Sequence, residues 1–124
     1  MMFATPRILL IITAILGGVA GFLALIVPPL FLQLTFPGVD GGPAALYLTR
    51  AFGVALISFA VLAFFSRGLI GVAVRPALAA LLTYNVVVTV HFGSLALSGD
   101  AAMTAPLIHL LLSVGYAYYW HKSR

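Results

Sequence analysis

Residues 8–27 read ILLIITAILGGVAGFLALIV, and Pro28 and Pro29 follow at once. At about 1.5 Å per residue, a charge-free run of this length is what an α-helix needs to cross about 30 Å of hydrocarbon. Adjacent prolines remove two backbone donors and clash with the preceding turn, so the run ends there. Three further stretches have the same character, about 44–65, 77–97 and 101–120. Pro43 stands just before the second and Pro76 opens the third. Asp100 is placed to N-cap the fourth. The stretches lack period-two alternation and are twice the length of a barrel strand, which excludes a β-barrel reading.

The charges fall around these stretches. Apart from Arg50, every Lys, Arg and Asp lies outside them, in a chain of 124 residues that is 64% hydrophobic and 6% charged. No soluble domain of this length needs so much apolar surface. The expected fold class is therefore all-α, a four-helix transmembrane bundle forming a single domain over residues 1–124. Arg7, Arg67, Arg75, Lys122 and Arg124 share one side and only Asp40 and Asp100 occupy the other, so the positive-inside rule puts both termini in the cytoplasm. The net charge of +4 then speaks for anionic lipid headgroups and against nucleic acid. A cleaved secretory signal is the competing reading of the first run. Against it stand the length of the run and the lack of an Ala-x-Ala step near Gly17, Gly18 and Gly21.

Without cysteine, disulfides, thiolate metal sites and thiol catalysis drop out. No Asp or Glu occurs inside a span, so a carboxylate proton relay of the kind small multidrug exporters use cannot be built. Hydrolase nucleophile motifs are missing too. The segment between Pro28 and Pro43 is apolar in its first half, while Pro37, Gly38, Gly41 and Gly42 forbid a continued helix. It reads as a loop packed on the bundle rim, or as a lid. Gly17 and Gly21 form a small-x-x-x-small step, with Ala51 and Ala55 as its counterpart, and both are expected to serve packing within the bundle. Tyr116, Tyr118, Tyr119 and Trp120 form an interfacial belt.

The polar residues within the spans carry the functional reading. Arg50 and His91 each lie about 9 Å from the outer ends of their helices, and His109 about 12 Å. Tyr84 and His91 are seven residues apart, as are His109 and Tyr116, so each pair returns to nearly the same helix face. In antiparallel helices, His91 is expected opposite His109, with Tyr84 opposite Tyr116. The candidate ligand site is Arg50, His91, His109, Tyr84 and Tyr116, suited to an anionic or carbonyl-bearing amphiphile such as a lipid or a quinone-like headgroup. On this reading the protein is noncatalytic or accessory. The structural alternative has Arg50 snorkelling to headgroups and the histidines acting as interhelix glue, together with Asn85, Thr83, Thr89 and Gln33. A haem b site with His91 and His109 as axial ligands is a further alternative, as is a scaffold subunit of a larger complex or a homo-oligomer. Zinc would be short of ligands.

The segment Leu46-Tyr-Leu-Thr-Arg-Ala-Phe-Gly53, ahead of a small-residue-rich apolar helix, resembles the second helix of small bacterial four-helix membrane proteins of unknown function. The resemblance covers the layout and rests on Arg50, Gly53, His91 and His109. It implies a bacterial inner-membrane location and supplies no activity.

Overall fold

The prolines at 28 and 29 end one helix and begin another. In a computed structural model describing residues 6–124, α1 runs Arg7–Ile26 and α2 runs Pro28–Thr35. The expected single domain starts at residue 1, so its first five residues lie outside those described. Pro28 and Pro29 sit in the first turn of α2, where the missing donors would have no intrahelical partner anyway. The rim segment, expected to be irregular, is thus helical in its first half and stops before Pro37. Phe31 and Leu32 are buried as α2 packs on α1 and α3. Beyond it, α3 spans Pro43–Ser66, a 3-10 turn covers Gly71–Val74, α4 spans Arg75–Leu97 and α5 spans Thr104–Lys122.

Two antiparallel pairs make up the architecture: α1 packs chiefly on α3, and α4 chiefly on α5. In the first pair Gly17 lies against Ala60 and Gly21 against Gly53 and Ile57, so numbers rise along one helix as they fall along the other. A Cβ on Gly21 would stand 2.9 Å from the Gly53 carbonyl oxygen. The expected contribution of Gly17 and Gly21 to packing within the chain is met on α1. On α3 the partners are Gly53 and Ala60 instead of Ala51 and Ala55, because the buried stripe runs Thr49, Gly53, Leu56, Ala60, Ala63 and leaves Ala51 exposed. In the second pair, Arg75 at the start of α4 lies over the ring of Trp120 near the end of α5, 4.6 Å from the ring centre. That cation–π contact holds the two ends together.

The helix ends gather the charges. Pro6, Ile70, Gly71, Val74, Tyr119, Lys122 and Ser123 line one small cleft, so the ends carrying Arg7, Arg75 and Lys122 meet. At the opposite end the Ala102 amide donates to the Thr35 carbonyl at 2.8 Å, and Gly38 lies beside Asp100. Asp100 does not cap α5. Gly99, at φ 88°, and Asp100 instead close α4: their amides donate to the carbonyls of Ala96 and Leu95 in a Schellman arrangement. The Asp100 carboxylate accepts from Ser98 Oγ at 2.8 Å, and α5 starts later, at Thr104, with no side-chain cap.

Three helical segments are long and apolar enough to cross a membrane: Arg7–Ile26, Pro43–Ser66 and Gly71–Leu97. Only 22 to 28% of each is buried, and the outward faces display Ile15, Val19, Phe22, Phe65 and Leu97. A helix apolar on all sides needs lipid or protein to cover what the bundle leaves bare. The expected fourth span does not reach the same standard, because Ala101–Met103 fall outside α5 and His109, Ser113 and the terminal aromatic and basic residues make it more polar.

Candidate functional site

All five helices border one cavity of about 190 Å³, partly open between the helices. It exists because each helix pair is closely packed within itself, while the two pairs touch more sparsely along α1 with α5 and α3 with α4. Thr13 and Gly17 of α1 line it, as do Phe31 of α2, Phe52 and Phe59 of α3, Tyr84, Asn85 and Phe92 of α4, and His109 of α5.

The aromatic lining residues form a continuous series. Phe31 lies 5.9 Å from Phe52 between ring centres, Phe52 lies 6.1 Å from Phe92, and Phe92 lies 6.4 Å from His109. His109 stands edge-on to Tyr84 at 5.7 Å, and Tyr84 packs on Phe59 at 4.4 Å. These separations fall in the range where aromatic pairs attract beyond simple burial.

Asn85 fixes the state of His109. The Asn85 side-chain nitrogen donates to the Leu81 carbonyl at 2.7 Å, so its other amide atom is the oxygen, and that oxygen lies 2.7 Å from His109 Nδ1. An amide oxygen only accepts, so Nδ1 carries the proton, and a neutral His109 has its free lone pair on Nε2. This bond ties α4 to α5. Tyr84 provides the complementary group: its hydroxyl is buried and has no hydrogen-bond partner. An unsatisfied buried donor of this kind costs about 1–3 kcal/mol, which a bound acceptor would recover.

Arg50, His91, His109, Tyr84 and Tyr116 do not gather around this space together. Tyr84 and His109 line it, whereas Arg50 is exposed on α3 and His91 is exposed on α4, with its ring 6.0 Å from that of Phe92. Tyr116 is fully buried behind the cavity, and its hydroxyl is hydrogen-bonded to the Thr13 hydroxyl of α1. The expected facing of His91 with His109, and of Tyr84 with Tyr116, is replaced by His109 with Asn85 and Tyr84, and by Tyr116 with Thr13. Spacing along a helix gives depth, but the side that faces inward is set by packing. On α4 the inward stripe is Leu78, Leu81, Asn85, Val88 and Phe92, which leaves His91 outside. A pair of imidazoles on either side of one haem iron is accordingly not what this arrangement presents.

Among the polar residues expected as glue, Asn85 and His109 bond each other between helices. Thr89 bonds the Asn85 carbonyl within its own helix, and Thr83 and Gln33 are exposed. The aromatic lining was missed in the sequence, although Phe52 with Phe59 and Asn85 with Phe92 repeat the seven-residue step that marked the histidine faces. Among the described residues, no cluster of three or more His, Asp or Glu could hold a metal ion. Compared with family models, curated proteins and solved structures, the chain matches none of them.

Proposed function

We propose that this chain is a four-pass protein of the bacterial inner membrane, with both termini cytoplasmic, that holds a neutral carbonyl-bearing amphiphile in its central cavity. α5 makes the fourth crossing beside α4, and its polar groups are accommodated because His109, Ser113 and Tyr116 turn toward the bundle. His109 bonds Asn85, Ser113 is buried and bonds the His109 carbonyl, and Tyr116 bonds Thr13. Polar side chains satisfied between helices are the ordinary way to carry them through hydrocarbon. The clustering of Arg7, Arg75 and Lys122 at one end favours that end as the cytoplasmic one.

The observation that carries the ligand reading is an aromatic cavity whose wall includes Tyr84, a residue with an unpartnered hydroxyl. A carbonyl oxygen satisfies it without bringing in a charge. A charged head group has no fixed counter-ion there, since Arg50 and Lys122 both lie off the cavity. Arg50 and His91 then meet outer-leaflet headgroups from the bundle surface. Among the described residues the cavity wall carries no carboxylate, lysine, cysteine or serine to activate or attack a substrate, which supports a binding or accessory role.

Native mass spectrometry after mild detergent extraction tests this. Wild type and Arg50→Ala should retain a neutral carbonyl-bearing molecule that Ala105→Phe, which fills the cavity from α5, releases. Wild type carrying no such molecule, or Ala105→Phe carrying it equally, would remove the reading.

A further inference from the structure

The cavity wall is more specific than an acyl chain requires. We propose that its occupant is a planar carbonyl-bearing ring of the quinone class, an inference that rests on the cavity reading above and sharpens it.

Size is the first argument. An apolar cavity of about 150 Å³ accommodates a benzene ring. At about 190 Å³ this one has room for a single substituted ring, while any tail must leave along the sparse seams between the two helix pairs. An acyl lipid would put its bulky ester head in the same space and gain little from aromatic walls.

The lining supplies the second. Phe31, Phe52, Phe92, His109, Tyr84 and Phe59 follow one another around the cavity, and all six belong to its wall. Aliphatic side chains would exclude water equally well. Aromatic faces carry partial negative charge, and an electron-poor ring bearing two carbonyls is attracted to them by the same quadrupole that orders aromatic pairs.

Hydrogen bonding is the third. Tyr84 has a donor without a partner, and the Asn85 bond leaves Nε2 of His109 as an acceptor. The Tyr84 hydroxyl is covered in the empty cavity, and a small turn of its ring lets one oxidised-ring carbonyl accept from it. A reduced ring adds a hydroxyl that can donate to the imidazole, so the same wall suits both forms.

The test is calorimetric titration of the purified full-length protein, in detergent free of endogenous quinone, with a decyl-substituted benzoquinone and separately with methyl decanoate. The quinone should bind saturably at one site, the ester should not, and Tyr84→Phe should weaken quinone binding about three- to tenfold. Ala105→Phe should abolish it. Binding of the ester without the quinone would overturn the ring assignment and leave the cavity reading standing. Binding of neither would overturn both. Quinone uptake unchanged in Tyr84→Phe and Ala105→Phe would mean partition into detergent or surface grease, and would also overturn the proposal.

Discussion

Gly21 and Gly53 meet backbone to backbone where α1 crosses α3: a Cβ on Gly53 would lie 2.7 Å from the Gly21 carbonyl oxygen and 2.9 Å from the Leu25 nitrogen. Both obstacles are main-chain atoms of a helix, which cannot swing aside as a side chain can. Gly53→Ala therefore has to push the helices apart, and the strain outweighs the gain of about 1 kcal/mol in helix propensity. Gly18→Ala is the matched control, since its Cβ would meet only Ala60, at 4.0 Å. Thermal unfolding in detergent should show Gly53→Ala destabilised by about 1–3 kcal/mol and Gly18→Ala unchanged or slightly stabilised.

Asn85 and His109 should behave as one unit. Asn85→Ala removes the acceptor of the His109 Nδ1 proton and leaves it buried, at a cost of about 1–2 kcal/mol for an interhelix bond in a membrane protein. Once Asn85 is gone, His109→Ala should add little. A double-mutant cycle read by chemical unfolding measures the coupling, and simple additivity would show that the two side chains act independently.

Two tyrosines on neighbouring helices should respond in opposite ways to loss of the hydroxyl. Tyr116→Phe leaves the buried Thr13 hydroxyl without its partner and should destabilise the protein by about 1 kcal/mol, with Thr13→Val in the same chain restoring much of the loss. Tyr84→Phe removes a buried donor that has no partner, so the ligand-free protein should be equally or more stable while ligand retention falls. Melting curves recorded with and without ligand separate the two effects. A Tyr84→Phe protein destabilised in the empty state would show that the hydroxyl is satisfied internally.

Arg75 and Trp120 should contribute modestly to closure of the basic end. Trp120→Leu keeps the apolar bulk and removes the ring face under the guanidinium, for an expected loss of about 0.5–1 kcal/mol. The same loss in Arg75→Gln, without further loss in the double variant, is the signature of a direct contact.

Helix positions were legible in the sequence because charge and proline punctuate the chain at a period set by bilayer thickness: Pro43 and Pro76 each stand in the first turn of a helix, and α1 stops just before Pro28. The helix at Pro28–Thr35 was not, because the prolines that stop one helix are equally suited to starting another. Asp100 misled for a related reason: a capping-type residue beside a glycine serves a helix C-terminus as readily as an N-terminus. At the candidate site, Tyr84 and His109 could be identified as polar residues within the spans, although Tyr84 was expected in a different layer, opposite Tyr116. Their separation from His91 and Arg50 could not, since hydrophobicity that is nearly uniform around α3, α4 and α5 gives no inward face. In a soluble bundle the polar face reports rotation about the axis; here lipid and core select the same side chains, and Phe52 and Phe92 look no different from Phe22 and Phe65.

A crossing of α5 beside the three more apolar helices would place the cavity within the bilayer. A chain without cysteine lends itself to single-cysteine labelling with a membrane-impermeant maleimide in intact cells. Cysteines replacing Val39 and Ser98 should react from outside, and those replacing Gly68 and Ser123 only after the membrane is opened. Labelling of Ser123→Cys from outside together with Ser98→Cys would put both ends of α5 on one side and contradict the four-pass arrangement.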